Sequence, residues 1–127
     1  MAKRASKARQ GAGITPVEFH ILLALVDADR HGYAIMQQVA LDSGGAIGLG
    51  PGTLYAALAR LLECGFIREV ESAVDPALDD SRRRYYRLTA AGRTAAASEA
   101  GRLAAVVKVA RSRQLTALAH EALAHEG

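Results

Sequence analysis

Gly50-Pro51-Gly52-Thr53-Leu54-Tyr55-Ala56-Ala57-Leu58-Ala59-Arg60-Leu61-Leu62-Glu63-Cys64-Gly65 is the stretch whose reading decides the fold. Proline suits the first position of a helix, where no amide donor is needed and φ is preset, and glycine just past the end accepts the left-handed cap. Pro51 and Gly65 therefore bound a helix. Leu54, Leu58, Leu61 and Leu62 recur at helical spacing and form an apolar face; Thr53, Ala56, Ala57 and Arg60 are assigned to the opposite one. That outer face is short and nearly free of negative charge. With a glycine-rich entry exposing backbone amides, such a helix can lie close against an anionic surface, for example a DNA groove. The plainer alternative is an amphipathic core helix.

What surrounds the stretch favours the first reading. Downstream, Phe66-Ile67-Arg68-Glu69-Val70 reads as a short strand, a polar stretch with Asp75-Pro76 follows, and Arg82-Arg83-Arg84-Tyr85-Tyr86-Arg87-Leu88 reads as a second, basic strand. Upstream, Thr15-Pro16-Val17-Glu18 is a capping box with proline at the first helical position, opening a helix expected to run to about Asp27. Its Val17, Phe19, Ile21, Leu22, Leu23, Leu25 and Val26 are too many for one stripe, so it is covered on more than one side. Asp27 to Gly32 breaks the pattern, and a second helix is expected from about Tyr33 to Leu41 with Ile35, Met36 and Val39 inward. Thr89 caps a last helix running from about Ala90 to Arg113 or beyond. The fold class expected is mainly α with a small β-wing, a winged helix-turn-helix plus a C-terminal dimerisation helix.

Four segments make the chain resemble the PadR-type transcriptional regulators: Thr15-Pro16-Val17-Glu18-Phe19-His20-Ile21-Leu22, His31-Gly32-Tyr33-Ala34-Ile35, Leu49-Gly50-Pro51-Gly52-Thr53-Leu54-Tyr55 and Arg84-Tyr85-Tyr86-Arg87-Leu88-Thr89. The Pro-Gly-Thr-Leu-Tyr segment is the most specific of these. The resemblance implies a homodimeric repressor that sets one recognition helix per subunit in successive major grooves of an operator. Tyr33, Gly52, Thr53, Tyr55, Ala56, Arg60, Arg82, Arg83 and Arg84 are the candidate DNA-binding residues. Thr53 and Ala56 are assigned to base edges; Tyr55, Arg60, the amides near Gly52 and the three arginines are assigned to phosphates. A capping serine is common in the family where Gly50 stands, and glycine caps less firmly, so the helix entry is expected to be more mobile. The family also implies an effector that relieves repression. This chain lacks the Trp that sandwiches flat ligands in some relatives, and any pocket would be lined by Leu103, Val106 and Val107.

Ala96, Ala100, Leu103, Val107 and Ala110 alternate spacings of four and three along the last helix, a short heptad seam assigned to the dimer interface. The division expected is a disordered basic arm over 1–13, a winged-helix domain over 14–89, and a dimerisation helix with tail over 90–127.

The 127 residues leave room for one domain and one core. The net charge of +3 is weak evidence for a nucleic-acid partner, because Lys3, Arg4, Lys7 and Arg9 precede Thr15 with no acid among them. The DNA argument rests instead on the local cluster of Arg82, Arg83, Arg84 and Arg87. No apolar run approaches the roughly 18 residues of a membrane span and the N-terminus is not signal-like, so a cytoplasmic, nucleoid-associated protein is expected. The single Cys64 lies at a helix C-terminus, where a thiolate is disfavoured, and is read as packing.

Enzymatic and metal chemistry find no support. Gly48, Gly50 and Gly52 follow no strand and precede no Gly-Lys-Ser/Thr, which excludes a nucleotide loop. His120 and His125 mimic a zinc-protease motif, but a spacing of five puts them on different sides of a helix. No nucleophile, base and orienting group assemble, so no catalytic residue, cofactor or metal is expected. Two rivals remain: a winged-helix module that binds a protein, and a small-ligand sensor without strong DNA binding.

Overall fold

The computed structural model describes residues 13–71 and 84–115. Its elements run α1 (Pro16–Ala24), β1 (Arg30–His31), α2 (Gly32–Asp42), α3 (Pro51–Glu63), β2 (Ile67–Glu71), β3 (Arg84–Leu88) and α4 (Ala90–Ser112). The chain divides into two compact units, Met1–Ala96 and Ala97–Gly127, so the division falls inside α4. The basic arm up to residue 12 and the residues beyond Leu115, including His120 and His125, lie outside the described residues, as do Asp75, Pro76, Arg82 and Arg83.

Helix α1 starts as its capping box requires. The Thr15 hydroxyl accepts from Glu18 N at 3.1 Å, and the Glu18 carboxylate accepts from Thr15 N at 2.9 Å. It stops at Ala24, about one turn before the expected Asp27, because its last carbonyls are taken by other donors. Arg30 Nε donates to Ala24 O at 2.7 Å, and Leu25 and Val26 fold into tight turns onto Leu22 O and Leu23 O. Ile21, Leu22, Ala24 and Leu25 of this segment are buried together with Ile35, Val39, Leu54, Ala57, Leu58, Leu61, Phe66, Ile67, Tyr86 and Ala96. Val17 packs against that core from the same helix. Helix α1 is thus the central element that its excess of apolar residues implies.

Ala57, expected on the outer face of α3, is fully buried. The correction is a matter of phase: Ala57 is one turn from both Leu54 and Leu61, so it shares their side of the helix.

The sheet is antiparallel in the order β1-β3-β2, with Ile67 opposite Leu88, Glu71 opposite Arg84, and Arg30 and His31 opposite Tyr86 and Tyr85. Strand β1 falls within the break in the helical pattern from Asp27 to Gly32. Two residues carry no periodicity, and only β3 alongside makes them a strand.

One junction ties α3, the hairpin and α4. Gly65, at φ +77°, ends α3 in a Schellman arrangement, with Phe66 N bonded to Leu61 O at 3.0 Å and Gly65 N to Leu62 O at 3.1 Å. The Thr89 hydroxyl donates to Gly65 O at 2.6 Å and accepts from Gly92 N at 3.0 Å, while Thr89 N donates to Phe66 O at 3.0 Å. Thr89 therefore caps α4 and ends the sheet at once. Gly92 lies so close to Phe66 O and the Leu88 side chain that an added Cβ would collide with both.

Within Ala97–Gly127, Arg102 holds the Glu99 carboxylate through two bonds, at 2.8 and 2.6 Å, and these keep that carboxyl below the usual carboxylate range. Val106, Val107 and Val109 are exposed along the same helix, and Ala100 is exposed too.

A glycine pair separates packing from helix propensity. Gly92→Ala should lower stability by about 3 kcal/mol through overpacking. Gly101→Ala, at a helical site with nothing within 4 Å of the added methyl, should raise it by about 0.5–1 kcal/mol. Urea unfolding followed by circular dichroism measures both.

Candidate nucleic-acid interface

Helix α3 presents Gly52, Thr53, Tyr55, Ala56 and Ala59 to solvent, while Leu54, Ala57, Leu58 and Leu61 face the core. Apart from Tyr55 these exposed side chains are very small. Gly50 is the N-cap and makes no side-chain capping bond, and Leu54 N already donates to Gly50 O at 3.0 Å. Because Pro51 has no amide hydrogen, the Gly52 and Thr53 amides are the donors left at the positive end of the helix dipole. The geometry is that of an anion-accepting helix end beside a low surface.

Two tyrosines flank this surface. Tyr33, on the first turn of α2, is 62 % exposed, and Tyr55 is 47 % exposed. They are neighbours through Gly32, where an added Cβ would stand 2.8 Å from the Tyr55 hydroxyl oxygen and 3.3 Å from Leu54 Cδ2. The backbone at Gly32 is the seat of the Tyr55 ring. On the sheet, burial pushes the Tyr86 phenol upward from its ordinary range, and the negative charge of Glu69 adds to the effect. Tyr86 therefore stays neutral.

Arg60 is not a simple outward cation. Its Nε donates to Glu18 Oε2 at 3.2 Å, and the Glu18 side chain is only 1 % exposed while that of Arg60 is 43 % exposed. The capping carboxylate of α1 thus also fixes a residue on the far turn of α3, 42 positions further along the chain. The cap uses one of the two Glu18 carboxylate oxygens, and the second is left for a partner distant in sequence.

Among the wing arginines, Arg84 is described and exposed at the open end of the β2–β3 pair, opposite Glu71. Arg87 makes a forked pair with Asp29, with Nη2 to Oδ2 at 2.7 Å and Nε to Oδ1 at 3.1 Å. Hydrogen bonds from Arg87 hold the Asp29 carboxyl below the usual carboxylate range, and the same pair holds Arg87 firmly protonated. Arg87 thus braces the loop before β1.

Of the residues assigned to the seam, Ala96 is buried in the core of its own unit and is withdrawn from any exposed interface. Ala100 and Val107 are exposed, and Leu103 and Ala110 are half-buried. Among the described residues no group of His, Cys, Asp and Glu is placed to hold a metal ion, and no described helix is long and apolar enough to cross a membrane.

A helix-turn-helix formed by α2 and α3, seated on α1 and flanked by a β2–β3 wing, defines the winged helix-turn-helix class. The sequence pattern of the transcriptional regulator PadR-like family matches residues 21–98, and the chain belongs to that family. A transcriptional regulator from Clostridium thermocellum is 27 % identical with a TM-score of 0.63, over 76 % of this chain and 87 % of that one. Bacillus subtilis PadR, solved in complex with operator DNA, shares the fold at 23 % identity and a TM-score of 0.52, over 62 % of this chain and 43 % of that one. Among curated sequences, an uncharacterised 37.1 kDa protein of a Streptomyces fradiae transposon is 42 % identical over 84 residues, 66 % of this chain. The chain spans about a fifth of the length of that relative, 22 %.

The Glu18–Arg60 contact is measurable by a double-mutant cycle. Glu18→Gln and Arg60→Ala should each destabilise the protein by about 1–2 kcal/mol, and the double variant should fall short of their sum by about 1 kcal/mol. The figures are set below those of fully buried pairs because Arg60 is partly in water. Urea midpoints at constant ionic strength give all three terms.

Proposed function

We propose that this chain is a homodimeric, DNA-binding transcriptional repressor of the cytoplasm and nucleoid, released from its operator by an effector. One observation carries the reading: the exposed face of α3 is low and free of acids from Gly52 to Ala59, with two unbonded amides at its entry and exposed Tyr33 and Tyr55 beside it. A helix of that profile can enter a major groove, where a tall or acidic face could not. The operator complex of Bacillus subtilis PadR, a fold relative, adds weight to a DNA partner.

In this reading Thr53 and Ala56 meet base edges, the hydroxyl as a donor or acceptor and the methyl against thymine. The Gly52 amide, Tyr33, Tyr55 and Arg84 take phosphates, joined by Arg82 and Arg83 from the sequence between the strands. Arg60 contributes through whatever of its guanidinium Glu18 leaves in solvent. Base readout on this face is sparse, so DNA shape and half-site spacing carry much of the specificity. Residues 14–89 form the DNA-reading part, 1–13 a basic arm toward phosphates, and 90–127 the dimerisation helix and tail. Leu103 and Val107, with exposed Val106 and Val109 beside them, give that helix an apolar stripe for the same helix of a second subunit. The effector remains defined by class only, a small molecule held near Leu103, Val106 and Val107.

Selection of sheared genomic DNA by the purified protein, followed by sequencing, tests the reading directly. Inverted repeats should be enriched, and Tyr55→Ala should weaken binding to them about tenfold. Arg84→Ala should reduce the slope of log affinity against log salt by about one, whereas Thr53→Ala should chiefly relax sequence preference. An unaltered slope in the Arg84 variant would remove the wing from the interface. For assembly, Leu103→Glu should shift the light-scattering mass from dimer toward monomer; an unchanged dimer places the interface elsewhere.

A further inference from the structure

We propose that His31 is a proton-operated helix cap: its neutral imidazole holds the first turn of α2, and protonation releases that turn together with Tyr33 and the seat of Tyr55. The consequence for DNA rests on the function proposed above; the cap itself does not.

His31 is the N-cap residue of α2, with extended backbone at φ −80° and ψ 169°, and its Nδ1 accepts from Ala34 N at 3.1 Å. Serine, threonine, asparagine and aspartate usually fill this role, and none of them loses its acceptor oxygen near neutral pH. Imidazole differs. Once protonated, both of its nitrogens are donors, so turning the ring over cannot restore an acceptor to the Ala34 amide. The new charge also stands at the positive end of the helix dipole, and the first turn of α2 holds no acidic residue to offset it. Imidazoles take up their proton between about pH 8 and pH 5, within the range a cell experiences.

The ring also packs across the sheet. His31 pairs with Tyr85 across the β1–β3 ladder, and the two rings meet edge to face at 5.4 Å and 89°. Gly32, the next residue, is where the Tyr55 ring sits, and Tyr33 after it is exposed on the candidate surface. Three consecutive residues thus put a titratable cap, the seat of one surface tyrosine and the other tyrosine in a row.

Charged and titratable groups lie on every element packed around the imidazole. Arg30 precedes it on β1, Tyr33 follows it on α2, and Arg84, Tyr85, Tyr86 and Arg87 line β3. Glu69 and Glu71 stand across β3 on β2, Tyr55 is on α3, Glu18 and His20 are on α1, and Asp29 in the preceding loop is held by Arg87. Glu18 is engaged by Thr15 N and Arg60 and Asp29 by Arg87, while Asp27, the other carboxylate of that loop, is exposed to solvent.

The test uses the full-length, isotope-labelled protein. The Ala34 amide is followed by NMR from about pH 7.5 to about pH 5.5, for its shift and for its exchange protection corrected for intrinsic rate. In parallel, affinity for a random-sequence duplex of about 24 base pairs, a little over two turns, is measured at constant ionic strength. His31→Asn supplies an acceptor oxygen at every pH, and His31→Ser is a second variant of the same kind should the first fold poorly. Ala34 protection should fall with acid in the wild type and hold in the variants. The wild-type affinity should drop about fivefold relative to the variants over the same interval, the factor corresponding to one helix cap of typical strength. An Ala34 amide that ignores pH, or that titrates equally in His31→Asn, overturns the cap. Titration of Ala34 with a constant affinity ratio overturns its coupling to the surface. If neither wild type nor variant binds duplex even at about pH 7.5, the DNA reading fails instead, and the Ala34 signal, read without DNA, still decides the cap.

Discussion

A carboxylate taken out of water at the start of α1 is the constraint on which the arrangement of the helices turns. Glu18 has to satisfy its charge inside the fold, and it does so by accepting from Thr15 N and from Arg60 Nε. The first bond starts α1, and the second ties α3 to it. On α3, Leu54, Ala57, Leu58 and Leu61 point into the core and Thr53 and Ala56 point out. A buried charge left without its partner costs more than a surface one, so Glu18 favours the arrangement that keeps Arg60 within reach.

The far end of α3 is fixed by hydrogen bonds of a different kind. Gly65 reverses the chain, Thr89 clamps the carbonyls of Gly65 and Phe66, and Gly92 lets the first turn of α4 press against Phe66 O. A displacement of α3 therefore pulls on the hairpin and on the base of α4 together.

The candidate surface combines rigidity with one adjustable end. Its floor, the outer face of α3, is set by the core. Its edge, the His31-Gly32-Tyr33 run, depends on a single side-chain cap, whereas α1 has the reciprocal two-bond box. Gly50 provides no side-chain cap for α3 either. The N-termini of the two helices nearest the proposed DNA are thus held less firmly than the helix beneath them, as suits surfaces that adapt to a backbone of phosphates.

The local signals were legible in the sequence because they are short-range chemistry. The box at Thr15 and Glu18, Pro51 and Gly65 around α3, Thr89 before α4 and the apolar spacing of the helices all follow from neighbours within one or two turns, and the four PadR-like segments are a resemblance carried by contiguous sequence. From these came the fold class and the family. Tertiary structure decided what depends on distant partners. It stopped α1 at Ala24, whose carbonyl Arg30 takes up, made a strand of Arg30 and His31 by laying them on β3, and turned Ala57 and Ala96 into the core. It also paired Arg60 with Glu18 and Arg87 with Asp29, so two arginines of similar appearance in sequence became braces. A side chain's type sets what it can bind, but only the packed chain brings within about 3 Å the partner it does bind.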